Sequence, residues 1–273
     1  MKQHKKGLLL WLVIVAALLI GSLLTGAPDT AGESIQAAMR DAVLHDSNQI
    51  SLFGWMNVNP GLISAFTVTG ILLIAAALLR IFVIPKFKYV PGKLQLALEE
   101  AVGLFDNMAK TSSPKMNGFL GAYIFAAGAY IFVGTLFELF GLQAITTAGR
   151  SITLPAPLSD VNGAIALGCL SYLVILSGGI SGNGIRGVGA TLKEFSLPIS
   201  MSFRLFGALL SGLLVTELVY YYISLSFVLP VVVGVLFTLL HALIQSYVLT
   251  MLTALFYGEV SQPARAETKP QKV

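Results

Sequence analysis

The sequence predicts an all-α fold: a polytopic membrane helical bundle with about five core transmembrane helices, an N-terminal signal or anchor helix and a long, tilted C-terminal hairpin. Apolar residues fill 56% of the 273 positions and charged residues only 11%, compared with about 25% charged residues in soluble domains. A spanning helix needs about 20 mostly apolar residues. Uncharged stretches of this size, apolar on all sides rather than amphipathic, occur at Gly7–Gly26, Gly61–Leu79, Gly118–Phe137, Val161–Ile185 and Leu218–Leu240.

The distribution of charge indicates the topology. Lys and Arg cluster in segments 2–6, 80–115, 186–193 and 265–272, and basic residues of short loops stay on the cytoplasmic side. Segment 28–60 is acidic and is therefore predicted to be extracytoplasmic. The net charge of +4 thus reflects orientation in a lipid bilayer with anionic headgroups as neighbours, and we expect no nucleic-acid partner.

The chain divides into four parts. Residues 1–27 combine a basic start, an apolar stretch and small residues at the end, which is typical of a signal peptide or signal anchor and favours cleavage. Residues 28–60 form the extracytoplasmic segment, 61–260 the transmembrane domain and 261–273 a disordered cytoplasmic tail. Within the domain, an amphipathic helix is predicted at about 93–112 on the cytoplasmic surface.

The transmembrane helices are predicted at about 61–84, 118–142, 160–182, 190–226 and 230–258. The fourth would extend about 55 Å, whereas the hydrocarbon layer is about 30 Å thick. We therefore predict a steeply tilted hairpin that is broken at Pro230, with a kink near Pro198. No internal repeat is evident, which weighs against an inverted-repeat transporter.

One arginine is expected at membrane depth. Ionisable residues inside the bilayer are costly and usually functional, and Arg204 keeps its charge permanently. It lies about ten residues beyond Lys193 and has no acid three or four positions away. Two interpretations remain open: an internal salt bridge to Glu217 or Glu138, or a partner from another subunit.

Three carboxylates are predicted near the outer ends of the helices: Glu138, Asp160 and Glu217. Carboxylates on one side of a membrane suit a hydrated path by which ions enter, and ordinary interfacial solvation is the alternative explanation.

Three polar residues share a face of the last predicted helix. Gln245 follows His241 by four positions and Thr238 precedes it by three, so the three line one side of the helix. They fit either an ion path or a structural hydrogen-bond cluster between helices.

The sequence lacks the motifs of soluble enzymes. We find no phosphate loop with Lys-Ser/Thr, no His-Glu-x-x-His and no nucleophile elbow, and the single cysteine, Cys169, offers neither a disulfide nor a thiolate metal site. We expect no enzymatic activity of the chain itself and no cofactor.

Four stretches carry a resemblance to a known family. The stretch Ser196-Leu197-Pro198-Ile199-Ser200-Met201-Ser202-Phe203-Arg204-Leu205-Phe206-Gly207 resembles the penultimate helix of subunit a of F-type ATP synthases, with the pattern Pro-x-Ser-x-x-x-Arg-Leu-Phe-Gly. Stretches 90–95, 157–162 and 245–257 are also similar to that family, and the four matches follow one another along the chain in the family's order. Together they cover most of residues 60–260.

The resemblance implies an ion-translocating stator subunit, for protons or sodium ions, in which Arg204 faces the carboxylates of a rotating c ring. Its partners would be the c ring, the b subunits of the peripheral stalk and the remaining membrane and catalytic sectors. The location would be the bacterial inner membrane, with a cytoplasmic C-terminus. An outer half-channel would contain Glu138, Asp160, Glu217, His241 and Gln245, and an inner one Glu194, Ser196 and Ser200.

The chain also departs from the family pattern. Ala208 stands where the family usually has Asn, Leu213 where it has an acid or histidine, and Thr238 where it has a titratable residue. Glu217 and His241 each lie about one turn beyond these positions, so we expect a shift of polar function by one turn. The alternative function is a secondary transporter whose Arg204 binds an anionic substrate.

Overall fold

A computed structural model of the protein describes residues 49–52, 56–114, 117–147, 149, 151–221 and 229–262. Segment 1–27, most of segment 28–60 and nearly all of the predicted tail lie outside the described residues. Within the described ranges the elements are β1 (Ile50–Leu52), β2 (Met56–Val58), α1 (Pro60–Leu78), α2 (Lys93–Ser112), α3 (Asn117–Phe137), β3 (Gln143–Ile145), β4 (Ser151–Thr153), α4 (Val161–Asn183), α5 (Ile185–Lys193), α6 (Ser196–Tyr221) and α7 (Leu229–Ser261).

Four of these helical segments are long and apolar enough to cross a membrane: Pro60–Lys86, Asn117–Phe140, Val161–Asn183 and Gly234–Ser261. The first continues α1 through a π-helical turn, Leu79–Val83, and a 3-10 turn, Ile84–Lys86. Helices α5 and α6 form a fifth candidate span that is bent by 49°. The predicted all-α polytopic bundle with about five spans is confirmed.

The predicted helix 190–226 is broken near its start, within about one turn before Pro198, where a kink was predicted. The chain bends between α5 and α6, at Glu194 and Phe195, where Glu194 has φ −92° and ψ 30°. Pro198 lies in the first turn of α6, four residues after Glu194. A proline ring clashes with the carbonyl of the residue four positions before it, so Pro198 prevents a straight helix from continuing back through Glu194.

Two short antiparallel hairpins, β1–β2 and β3–β4, lie beside the membrane helices, and the sequence analysis did not predict them. They are joined where the Thr147 N–H donates to the Gln49 carbonyl at 2.9 Å. Strand β1 contributes Ile50 to a buried apolar cluster with Val68 of α1 and Phe137 of α3. The hairpins therefore tie α1 to α3 at the end of the bundle that is predicted to lie outside.

Helix α2 packs antiparallel to α3. Phe105 meets Phe125 edge to face, with ring centroids 5.6 Å apart. Gly128 of α3 leaves room for the Phe105 ring, because a Cβ on Gly128 would lie 2.8 Å from that ring. Leu94 and Val102 remain exposed. The apolar side of α2 is thus covered by α3 only in its second half.

Close helix contacts at glycines join the end of α4 to the end of α7. A Cβ on Gly178 would lie 2.5 Å from the Tyr257 ring, and Gly182 lies directly against the backbone of Ser261. Asn183 Nδ2 donates to two backbone carbonyls at the end of α7, at 2.7 and 2.9 Å. Small residues let helix backbones approach closely in a bilayer, so α4 fixes the position of α7.

We predict that Gly178→Ala lowers stability by about 1–3 kcal/mol, because the added methyl group overlaps the rigid Tyr257 ring. The matched control is Gly70→Ala on α1, where a Cβ meets nothing within 4 Å. Thermal unfolding of the purified protein in detergent measures both. A similar melting temperature for the two variants would contradict the packing described here.

Candidate functional site

Helix α6 is held against α4 by one face. A Cβ on Gly168 of α4 would lie 2.9 Å from the Pro198 carbonyl oxygen, so only glycine permits this approach. Ser202 lies at the same contact, and its hydroxyl donates to the Pro198 carbonyl at 2.6 Å. The buried apolar residues of α6 recur every four positions, as expected for one helix face: Leu197, Met201, Leu205 and Leu209.

Arg204 is exposed, outside this buried face. Its surroundings on α6 are apolar or small: Phe203 is 66% exposed, and Gly207 and Ser211 are exposed as well. Among the described residues, the guanidinium makes no ion pair or hydrogen bond. The site therefore presents a permanent cation on a helix face that the described part of the chain leaves uncovered.

The internal salt bridge considered from the sequence is not formed within the described residues. Glu217 lies on the same helix, and its side chain is outside the described residues. The two positions are 13 residues apart, which is about 20 Å along the axis. A salt bridge between Arg204 and Glu217 within this helix is therefore out of reach.

Contacts with α4 place Gln245 near the level of Arg204. Helix α7 runs parallel to α4, because Gly178 meets Tyr257 and Gly182 meets Ser261. The chain returns antiparallel to α4 through α5 and α6, because Gly179 meets Thr191 and Gly168 meets Ser202. Counting residues from the contacts of Tyr257 and Ser202 puts Arg204 and Gln245 within about one helical turn of the same height. Gln245 is only 7% exposed, so its side chain does not share the exposed surface that carries Arg204.

His241 lies against α6 at Gly212. A Cβ there would be 3.2 Å from His241 Nδ1, and the imidazole also meets Phe237 edge to face, with centroids 5.8 Å apart. Gly212 is eight residues beyond Arg204, or about 12 Å along α6. The structure thus brings Arg204, Gln245 and His241 to the same pair of helices.

The sequence analysis missed Gly212. A glycine inside an apolar helix weakens it relative to alanine, but the pattern alone does not show a neighbour, since Gly70 and Gly207 meet nothing within 4 Å. The identity of the neighbour at Gly212 depends on how α6 and α7 are aligned, which the sequence alone does not state.

Asp160 lies where two helices begin. Its Oδ1 accepts from the Asn162 N–H at 3.2 Å and so caps α4. A Cβ on Gly61, in the first turn of α1, would lie 3.4 Å from Oδ2. The carboxylate therefore faces two helix N-termini, whose partial positive charge favours an anion.

The other predicted positions lie toward opposite ends of the bundle. Glu138 opens the 3-10 turn after α3, where it is half-buried and makes an interaction of its own. Glu194 lies in the bend before α6, and Ser196 and Ser200 are exposed in the first turns of α6. Ser200 precedes Arg204 by one turn on the same side of the helix.

Within the described ranges, no group of three or more His, Cys, Asp or Glu side chains could hold a metal ion. The features define a class: a multi-pass membrane protein whose helical bundle presents, among the described residues, an unpaired charge on its surface.

Comparison with known proteins gives the family. The family model described as ATP synthase A chain matches residues 63–258, a range that contains every predicted site residue. This chain therefore belongs to the ATP synthase A chain family, and the resemblance to subunit a is confirmed.

Two proteins named ATP synthase subunit a are among its relatives. They come from Cereibacter sphaeroides strains ATCC 17025 / ATH 2.4.3 and ATCC 17029 / ATH 2.4.9, and each is 27% identical over 179 residues, covering 61% of this chain and 69% of the relative. By family, the chain is a non-catalytic subunit of the membrane sector of an ATP synthase complex.

We predict that Asp160→Ala lowers stability by about 1 kcal/mol, since it removes the cap of α4. Asp160→Asn should keep most of that stability, because the amide oxygen still accepts from the Asn162 N–H. Thermal unfolding of the two variants in detergent separates them. Equal losses would show that capping is not what this side chain contributes.

Proposed function

We propose that this chain translocates ions through two half-channels as the stator subunit of a rotary ATP synthase, with Arg204 facing the carboxylates of a rotating c ring. Membership of the family supports the general part of this proposal, that the chain takes part in ion translocation in the membrane sector. The observation that supports the specific role of Arg204 is its exposed guanidinium, which is unpaired among the described residues.

The electrostatics suit a passing carboxylate. Two opposite charges 4 Å apart attract by about 4 kcal/mol at an effective dielectric constant of about 20. Moving one charge through 100 mV is worth about 2.3 kcal/mol. The two energies are of the same order, so Arg204 can favour the ionised carboxylate and still release it as the ring steps.

The fixed charge also prevents a leak. A cation that moved straight from one half-channel to the other would approach a guanidinium that cannot lose its proton. Ions must therefore travel on the ring, and the gradient is converted into rotation.

The outer half-channel leads toward Arg204 from the end at which α1 and α4 begin. Its deeper groups are supported by position: His241 lies about 12 Å outward of Arg204 along α6, and Gln245 lies near the level of Arg204. The proposed residues are Glu138, Asp160, Glu217, His241 and Gln245. The inner half-channel follows the exposed side of α6 past Glu194, Ser196 and Ser200.

The contact between His241 and Gly212 supports the proposed shift of polar function by one turn. The family usually has an acid or histidine at the position of Leu213, and Gly212 is the adjacent residue. His241 therefore brings an imidazole from α7 close to the place where the family has a titratable group on α6.

Several parts of the assignment concern the assembly. The c ring, the b subunits of the peripheral stalk and the catalytic sector are the proposed partners. The bacterial inner membrane is the proposed location, with the C-terminus in the cytoplasm. Helix α7 has 33 residues, about 50 Å, and this length supports a tilted α6–α7 hairpin.

We predict that Arg204→Ala abolishes ATP-driven ion pumping in reconstituted vesicles while the complex still assembles, because the ring carboxylates lose their fixed counter-charge. Quenching of a pH-sensitive dye, or sodium uptake, measures pumping. The matched control is Arg80→Ala, which removes an exposed arginine at the end of the first span and should leave pumping unchanged. Normal coupled pumping by Arg204→Ala would defeat the proposal.

We predict that replacing Glu217 and His241 together by leucine abolishes pumping, because the proposed outer path then has no polar group between the helix ends and Gln245. Thr238→Val on α7 is the control, since the shifted path does not use this buried hydroxyl. Both variants are compared in the same vesicle assay. Full pumping by the double variant would refute the shift.

A further inference from the structure

Helix α5 differs from the spanning helices because three distinct faces follow one another around it. One face packs on α4, where Gly187 lies directly against the backbone of Gly179. The Tyr172 hydroxyl of α4 donates to the Thr191 carbonyl at 3.0 Å, and Thr191 is fully buried. These contacts hold α5 as a rigid platform at the end of α4.

The second face of α5 is apolar and uncovered. Ile185 is 91% exposed and Leu192, seven residues later on the same side, is 55% exposed. Phe195, in the bend before α6, is 66% exposed. Because α5 leaves the direction of α6 by 49°, this face is set at an angle to the span, as in helices that lie in the membrane interface.

The third face carries two cations with a gap between them. Arg186 and Lys193 are seven residues apart, about 10 Å along one side of the helix. Gly189 and Ala190 lie between them, and a Cβ on Gly189 would meet nothing within 4 Å. No acid belongs to α5, and within the described ranges neither cation forms a salt bridge.

We propose that this cationic face binds the phosphate headgroup of an anionic lipid in the cytoplasmic leaflet. The headgroup phosphate lies in the gap over Gly189 and Ala190, between Arg186 and Lys193. The acyl chains follow the adjacent apolar face along Ile185 and Leu192. Apolar contact and cation contact on neighbouring faces of one helix match the two parts of a phospholipid.

This lipid site is independent of the ion path. It uses neither Arg204 nor any proposed half-channel residue, so its failure would leave the translocation proposal intact. A bound lipid would hold α5 in the interface and, through the bend at Glu194 and Phe195, steady the start of α6.

The test uses the purified full chain in non-ionic detergent, titrated with phosphatidylglycerol and observed by native mass spectrometry. A basic residue near a lipid surface contributes about fivefold in affinity, so Arg186→Gln with Lys193→Gln should weaken binding about 25-fold. Lys86→Gln with Lys88→Gln is the matched control, because it removes two exposed cations from another cytoplasmic segment, and it should leave binding unchanged. Phosphatidylcholine and inorganic phosphate should not bind at this site.

A second variant tests the gap itself. Gly189→Leu keeps every charge and places a branched side chain between the two cations, so it should also weaken phosphatidylglycerol binding. Thermal unfolding without added lipid should match the wild type for all three variants, since the changed side chains are exposed. The site would be overturned if the control pair at Lys86 and Lys88 lost as much phosphatidylglycerol binding as the pair at Arg186 and Lys193. Unchanged phosphatidylglycerol binding by Gly189→Leu would also overturn it. So would lost assembly with the other subunits while lipid binding is retained.

Discussion

A permanent positive charge that the described part of the chain leaves uncovered is the constraint on which the rest of this structure depends. The Arg204 guanidinium cannot be neutralised by losing its proton, and a charge that is removed from water without a partner costs several kcal/mol. Its neighbours on α6 are an exposed Phe203 and the small residues Gly207 and Ser211. Small residues allow a second helix to approach. In the proposed assembly, a carboxylate on a neighbouring helix of the c ring would pair with this charge.

The close contacts at glycines serve to hold that surface in place. Lipid provides no hydrophobic driving force between helices, so close backbone packing must hold them together. Gly168 lets α6 approach α4, Gly178 fixes the end of α7, and Gly212 admits the His241 ring. Because the three contacts share α4, α6 and α7, they set the height of Gln245 and His241 relative to Arg204. The geometry of the proposed path thus depends on the close helix contacts at these three glycines.

Length and apolarity were enough to predict the spans, and a lone charge at depth was enough to single out Arg204. The bend at Glu194 and Phe195 lies within about one turn before Pro198, the residue from which a kink was predicted, because a proline ring clashes with the carbonyl four positions earlier. Strands β1 to β4 have three residues each, too short for an alternating pattern to appear. The contact between His241 and Gly212 depends on the alignment of two helices, which the periodicity of either helix leaves open.

Disulfide cross-linking in the assembled complex tests most directly whether the uncovered face of α6 meets the ring. In a Cys169→Ser background, Gly207→Cys lies on the exposed side of α6 and Leu209→Cys on the buried side. Each is combined with a cysteine placed one turn from the ring carboxylate. The account predicts a cross-link from position 207 and none from position 209. A cross-link from 209 alone, or none from 207 in complexes that pump, would contradict it.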